Sequence, residues 1–104
     1  MTDAAARIDA WLWRARFFKT RALAASFVEA GRVRLFRHGQ ETRLDKPSRT
    51  VRPGDELTFA LNGRLTAVRV EAAGERRGPA AQARGLYTAL DAPGPEEPAV
   101  DKPL

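Results

Sequence analysis

The hydrophobic period changes at Gly31, and this change constrains the fold more than any other feature of the chain. Before it, apolar residues recur at helical spacing. Ile8, Trp11, Leu12 and Ala15 follow the i, i+3, i+4, i+7 pattern of one buried stripe, which predicts a helix from about Ile8 to Phe17. Thr20 suits an N-cap, because its side-chain oxygen can accept a backbone N–H, and a second helix is expected from about Arg21 to Ala30. Leu23 and Phe27, four residues apart, are read as holding the two helices together with Trp11 and Leu12. Gly31 stands where a left-handed C-terminal cap belongs. Only Phe18, Lys19 and Thr20 join the helices, so the chain must turn sharply between them.

After Gly31 the period falls towards two. Val33 and Leu35 alternate with Arg32 and Arg34, the pattern of a half-buried strand. His38-Gly39 can turn the chain back through Gln40 to Leu44, and Lys46-Pro47-Ser48 then interrupts the ladder. Pro53-Gly54-Asp55 is a turn signal. Leu57, Phe59 and Leu61 alternate up to Asn62-Gly63, a two-residue hairpin signal. The returning strand, about Leu65 to Val70, changes apolar parity before Val68, which is read as a bulge. Pro79 can open a last helix to about Leu90, with Ala83, Leu86, Tyr87 and Leu90 as its stripe. Gly85 weakens that helix by about 1 kcal/mol relative to alanine.

A chain of 104 residues has room for one domain, expected here over residues 7–91. Residues 1–6 read as a loose lead. Residues 92–104, with four prolines and three acidic residues, read as a disordered tail. There is no cysteine, hence no disulfide and no thiolate chemistry. Neither a secretory signal nor an apolar run of ~20 residues is present, so the cytoplasm is the expected compartment, without membrane contact.

Charge placement points to a partner. Between Arg7 and Arg52 twelve basic residues face four acidic ones, whereas from Pro79 onward two basic residues face four acidic ones. Fifteen of the eighteen basic residues are arginine, the side chain suited to bidentate phosphate contacts and to stacking on bases. A polyanion is the first expectation. The stretch from Arg7 to Arg21 is the densest, with cations at both ends of the first helix, in the turn and at the start of the second. A sharp helix pair can gather them on one convex face, next to the N–H groups that open the second helix.

Taken in order, Arg7-Ile8-Asp9, Trp11-Leu12-Trp13, Ala15-Arg16-Phe17, Lys19-Thr20-Arg21, Gly31-Arg32-Val33, Lys46-Pro47-Ser48 and Gly54-Asp55 resemble the RNA-binding domain of the ribosomal-protein-S-four type. Trp11-Leu12-Trp13 with Phe17-Phe18-Lys19-Thr20-Arg21 looks closer still to the small bacterial heat-shock branch of that family, and the resemblance covers about residues 7–91. It implies an α+β fold: two N-terminal helices packed on a small twisted, mainly antiparallel sheet, plus a C-terminal helix. It implies structured RNA as partner. For the heat-shock branch it implies rRNA of the large ribosomal subunit carrying a stranded nascent chain, with tRNA nearby, in ribosome rescue. The RNA contacts expected on this basis are Arg7, Arg14, Arg16, Lys19, Arg21, Arg32, Arg34, Lys46 and Arg49.

Other chemistries find little support in the residues. His38 is the only histidine and reads as a turn residue, so no metal set is expected. Asp45, Asp55 and Glu56 lie beside turn residues and form no acid/base pair by pattern, and no cofactor motif occurs. No catalytic role is expected. Trp11 is read as core, and Trp13 as packing under the C-terminal helix or, alternatively, lying at the surface and stacking on a base. A monomer is expected. Weaker DNA binding, or service as an accessory module of an RNA-modifying enzyme, are the alternatives.

Overall fold

The computed structural model describes residues 5–74 and 77–90. Helix α1 spans Ile8–Arg14 and helix α2 spans Arg21–Glu29. The first helix stops three residues short of the expected Phe17. Its end is a Schellman motif in which Arg16 N–H bonds Trp13 O (3.0 Å) and Phe17 N–H bonds Leu12 O (3.0 Å). That motif needs a left-handed residue after the cap, and Arg16 supplies it at φ 69°. The second helix follows its expected span. Thr20 Oγ1 accepts from Leu23 N–H (3.0 Å), and Gly31 takes φ 75° to end it.

Five antiparallel strands form the main sheet in the order β3-β2-β5-β6-β7. They are β2 (Val33–Arg37), β3 (Gln40–Leu44), β5 (Glu56–Leu61), β6 (Arg64–Val70) and β7 (Tyr87–Ala89). The β2–β3 and β5–β6 turns use His38-Gly39 and Asn62-Gly63, all four residues at positive φ, as tight hairpins require. The sheet is closed against one end of the helices by a separate two-residue ladder. In it β1 (Ala6–Arg7) pairs with β4 (Thr50–Val51), and Ala6, expected in a loose lead, is buried opposite Val51.

Two readings of the second half are corrected. The β5–β6 register runs without interruption from Glu56↔Arg69 to Leu61↔Arg64, so there is no bulge. Leu65 simply faces the sheet's outer side, where it is exposed, while Val68 faces the core. The C-terminal helix is also shorter than expected. Helix α3 covers only Ala80–Ala83, a 3-10 turn follows over Arg84–Leu86, and Tyr87 enters β7 beside Val70. Gly85 weakens the helix where it fails, and β6 offers an unpaired edge that backbone groups can satisfy. The tail from residue 92 lies outside the described residues.

The helices cover one face of the sheet. Ile8, Trp11, Leu12, Ala24 and Val28 pack on Val33, Leu35, Leu57, Phe59, Val68 and Val70, all buried. On α2 the buried positions are therefore Ala24 and Val28. Leu23, expected in the helix contact, is 53% exposed, and Phe27 is half-buried. Trp11 is the largest core residue and donates its indole N–H to Ala72 O (2.8 Å). Phe17 meets Phe59 edge to face (5.3 Å) and Tyr87 at 4.9 Å, tying the interhelical turn to β5 and β7.

Candidate nucleic-acid interface

Arg7 and Arg21 gather at one end of α1, and Arg14 and Arg16 at the other. At the N-terminal end, Arg7 and Arg21 converge on Asp9. Arg7 binds its carboxylate through both Nε (3.1 Å) and Nη2 (3.0 Å), and Arg21 approaches at 3.7 Å. Asp9 is buried, while the two arginine side chains remain 50% and 48% exposed. One carboxylate thus orients two guanidiniums without hiding or neutralising both. The loop after β3 is pinned against the same end of α1, because Ile8 N–H bonds Arg49 O (2.7 Å) and Asp9 N–H reaches Pro47 O (3.4 Å). Lys46 and Arg49 are thereby brought to this corner, both exposed.

The band continues along α2. Lys19 precedes the N-cap and is exposed, and Arg32 follows the C-cap with its guanidinium 5.9 Å above the Phe27 ring. Gly31 has the Arg43 side chain against it, about where a Cβ would project, which adds a further cation beside Arg32. Among the described residues no carboxylate lies within ion-pair distance of Lys19, Arg32, Lys46 or Arg49.

The other end of α1 uses its cations differently. Arg14 donates to Gly74 O (3.0 Å) and, more weakly, to Ala73 O (3.4 Å). Arg16 Nε donates to Gly78 O (2.9 Å). Arg77 reaches back, its Nε donating to Trp13 O (3.1 Å) and its guanidinium lying 5.8 Å from the Trp13 ring centre. The connection after β6 is strapped to α1 by these side chains and by Trp11. Of the two cations expected to join Arg7 and Arg21 on one convex face, Arg14 is turned to backbone carbonyls and half-buried, while Arg16 is exposed with one donor on a carbonyl. Trp13 does lie at the surface, half-buried, but Arg77 occupies its ring.

Arg34 stands apart on the outer face of the sheet, paired with Glu41 at 2.7 Å. Arg37 serves the fold. It holds the buried Asp55 through Nε (2.9 Å) and Nη2 (2.6 Å), and hydrogen bonding to that carboxylate raises its pKa further above the ordinary arginine value. Asp55 also accepts from Arg52 N–H (2.8 Å), so the pair fixes the turn before β5. Sequence reasoning did not find Asp9 as the organiser of two arginines, although an acidic residue one step into a helix and flanked by Arg7 carried the signal. It also missed the Gly31–Arg43 contact, which depends on strand register. Among the described residues no His, Cys, Asp and Glu side chains cluster as a metal site, and no helix is long and apolar enough to cross a membrane.

A sharp pair of short helices on one face of a small antiparallel sheet, with cations along the helix pair and the following loop, defines the S-four-type α+β class of RNA-binding fold. Comparison with known proteins narrows the class. No protein-family model matches the chain. Heat shock protein 15 of Escherichia coli (strain K12) is 43% identical over 81 residues, 78% of this chain and 57% of that protein. The heat shock protein 15 homolog of Haemophilus influenzae is 33% identical over 87 residues, 84% of this chain and 63% of its own length. A solved structure of Vibrio cholerae heat shock protein 15, described as trimeric, matches with a TM-score of 0.71 at 36% identity, covering 83% of this chain and 82% of that one. The chain belongs to the heat shock protein 15 family. It spans 57% of the length of the Escherichia coli relative.

Proposed function

We propose that this chain binds structured RNA without catalysis, through the corner formed by Arg7, Arg21, Lys46 and Arg49 and the band continued by Lys19 and Arg32. The observation that carries this reading is the convergence of Arg7 and Arg21 on buried Asp9 while both stay half-exposed. A folded protein that only needed an ion pair there would require one of them. Phosphate contacts of this kind fix position and orientation, and the shape of the RNA selects the site. If roughly five phosphates are neutralised, log affinity falls with log salt at a slope of about −3.5 to −4.5. Titration of a structured rRNA fragment at several salt concentrations measures this, and a flat dependence removes the charged corner from the mechanism. Duplex DNA as competitor separates RNA from general polyanion binding.

The target we infer is rRNA of the large subunit when a nascent chain on tRNA is stranded there, in the cytoplasm. Membership of the heat shock protein 15 family supports it, together with the family resemblance of the helix pair. Sedimentation of cell extract after heat or translation arrest should place the chain with free large subunits, and its absence from ribosomal fractions rejects that target. The Vibrio cholerae relative is described as trimeric, whereas the sequence reading expects a monomer. Sedimentation velocity of the purified chain, 11.5 kDa per copy, decides the point.

A further inference from the structure

Beside the charged corner lies an apolar groove that phosphate binding does not use. Its floor is Phe18 and Phe27, whose rings stand 5.0 Å apart. Leu23, 53% exposed, forms one wall on α2, and Asn62, at the tip of the β5–β6 hairpin, stands opposite. Lys19 and Arg32 lie at the rim. The groove is shallow and open to solvent, offering about 490 Å³ over an apolar surface. Lys19 at its rim and Arg21 of the corner flank the Thr20 N-cap, and Arg21 reaches Asp9.

We propose that this groove takes one unpaired nucleobase of the bound RNA. The inference rests on the RNA-binding reading above and adds a base-dependent term to it. Each part of the groove matches a part of a nucleotide. Phe18 and Phe27 present aromatic surface on which any base can stack. The Asn62 amide carries both a donor and an acceptor for a base edge. Lys19 and Arg32, without carboxylate partners among the described residues, stand where the flanking phosphates run. Lining by cations, with no acidic side chain, disfavours a basic peptide and a metal ion alike. The Arg32 guanidinium lies over the Phe27 ring, as Arg77 lies over Trp13, so a base that stacks on Phe27 takes the place of that guanidinium.

The test uses the full chain and two probes of equal charge, pentauridylate and an abasic pentamer with the same phosphates. Stacking of one base predicts about 5- to 150-fold tighter binding of pentauridylate. Methyl and ring resonances of Leu23 and Phe27 should shift with that probe and not with the abasic one. Phe27→Leu keeps an apolar filling but removes the ring, and Leu23→Ala shortens an exposed wall. Both should reduce the ratio between the probes towards one while circular dichroism stays native. Equal affinity for the two probes in the wild type overturns the proposal, as does a ratio unchanged in both variants. Groove resonances that stay still up to millimolar pentauridylate have the same meaning. Tighter capture of an acidic amphipathic peptide at these resonances assigns the groove to a protein partner and also overturns it. Salt-dependent binding of the rRNA fragment separates the two readings, because its survival alongside any of these results rejects the groove alone.

Discussion

The two ends of α1 carry cations of the same kind and put them to opposite uses. At the N-terminal end, Arg7 and Arg21 share one buried carboxylate and keep about half of their side-chain surface in solvent. At the C-terminal end, Arg14, Arg16 and Arg77 hydrogen-bond to backbone carbonyls, and the chain after β6 is held to the helix by them. Arginine content therefore does not measure the size of an RNA surface. What the guanidinium faces decides whether it stabilises the fold or remains available to phosphate. Arg14 is half-buried against its carbonyls, whereas Arg7 and Arg21 share a single carboxylate charge; Arg16 gives one of its five donors to a carbonyl and stays exposed.

The largest effect expected from this contrast is at the strapped end. Trp11→Ala removes a fully buried indole and its bond to Ala72 O, and should destabilise the protein by about 3–5 kcal/mol, read from urea denaturation. Arg14→Ala should cost less, about 1.5–2 kcal/mol, the lower part of the range for hydrogen bonds to a charged group because its side chain keeps partial exposure. The same variant should bind the rRNA fragment with a salt slope equal to that of the wild type. A shallower slope with unchanged stability would place Arg14 on the RNA and break the contrast.

Arg21→Ala should behave in the reverse way. Its ion pair with Asp9 is long and solvent-exposed on the arginine side, a geometry worth little to the fold. Loss of one phosphate contact should make the log–log salt slope shallower by about 0.7–0.9 and leave the denaturation midpoint near that of the wild type. A lowered midpoint with an unchanged slope would make Arg21 a structural residue like Arg14.

Much of this was legible in the sequence, and the exceptions share a cause. The helix pair, the Thr20 cap, the His38-Gly39 and Asn62-Gly63 hairpins and the core role of Trp11 follow from local periodicity and turn chemistry. Side chains that bond distant backbone carbonyls leave no such trace, since any residue supplies a carbonyl. Arg14 reaches Gly74 across sixty positions, and neither residue type announces the contact. The β1–β4 ladder, two residues per strand, is too short to show a period. In the last segment, Leu86, Tyr87 and Leu90 fit a helical stripe, yet the free edge of β6 takes Tyr87–Ala89 as a strand. Tertiary opportunity outweighed a propensity that Gly85 had already weakened.

The smallest change in binding discriminates most finely, because stability and binding should move in opposite directions. Asp9→Asn keeps the shape of the side chain and removes a buried charge that binds Arg7 through two nitrogens. Folding should lose about 1–2 kcal/mol, since hydrogen bonds to a charged group are replaced by neutral ones. Binding should gain. A carboxylate about 7 Å from a phosphate repels it by roughly 0.6 kcal/mol in a water-like dielectric, so its removal should tighten RNA binding about two- to threefold at low salt. That gain should fade towards physiological ionic strength, where the screening length is about 8 Å. If affinity falls instead, Asp9 acts chiefly by fixing the directions of Arg7 and Arg21, and preorganisation outweighs charge at this corner. Paired titrations of wild type and Asp9→Asn at low and physiological salt separate the two, because a loss from misdirected side chains persists when screening has removed the electrostatic gain.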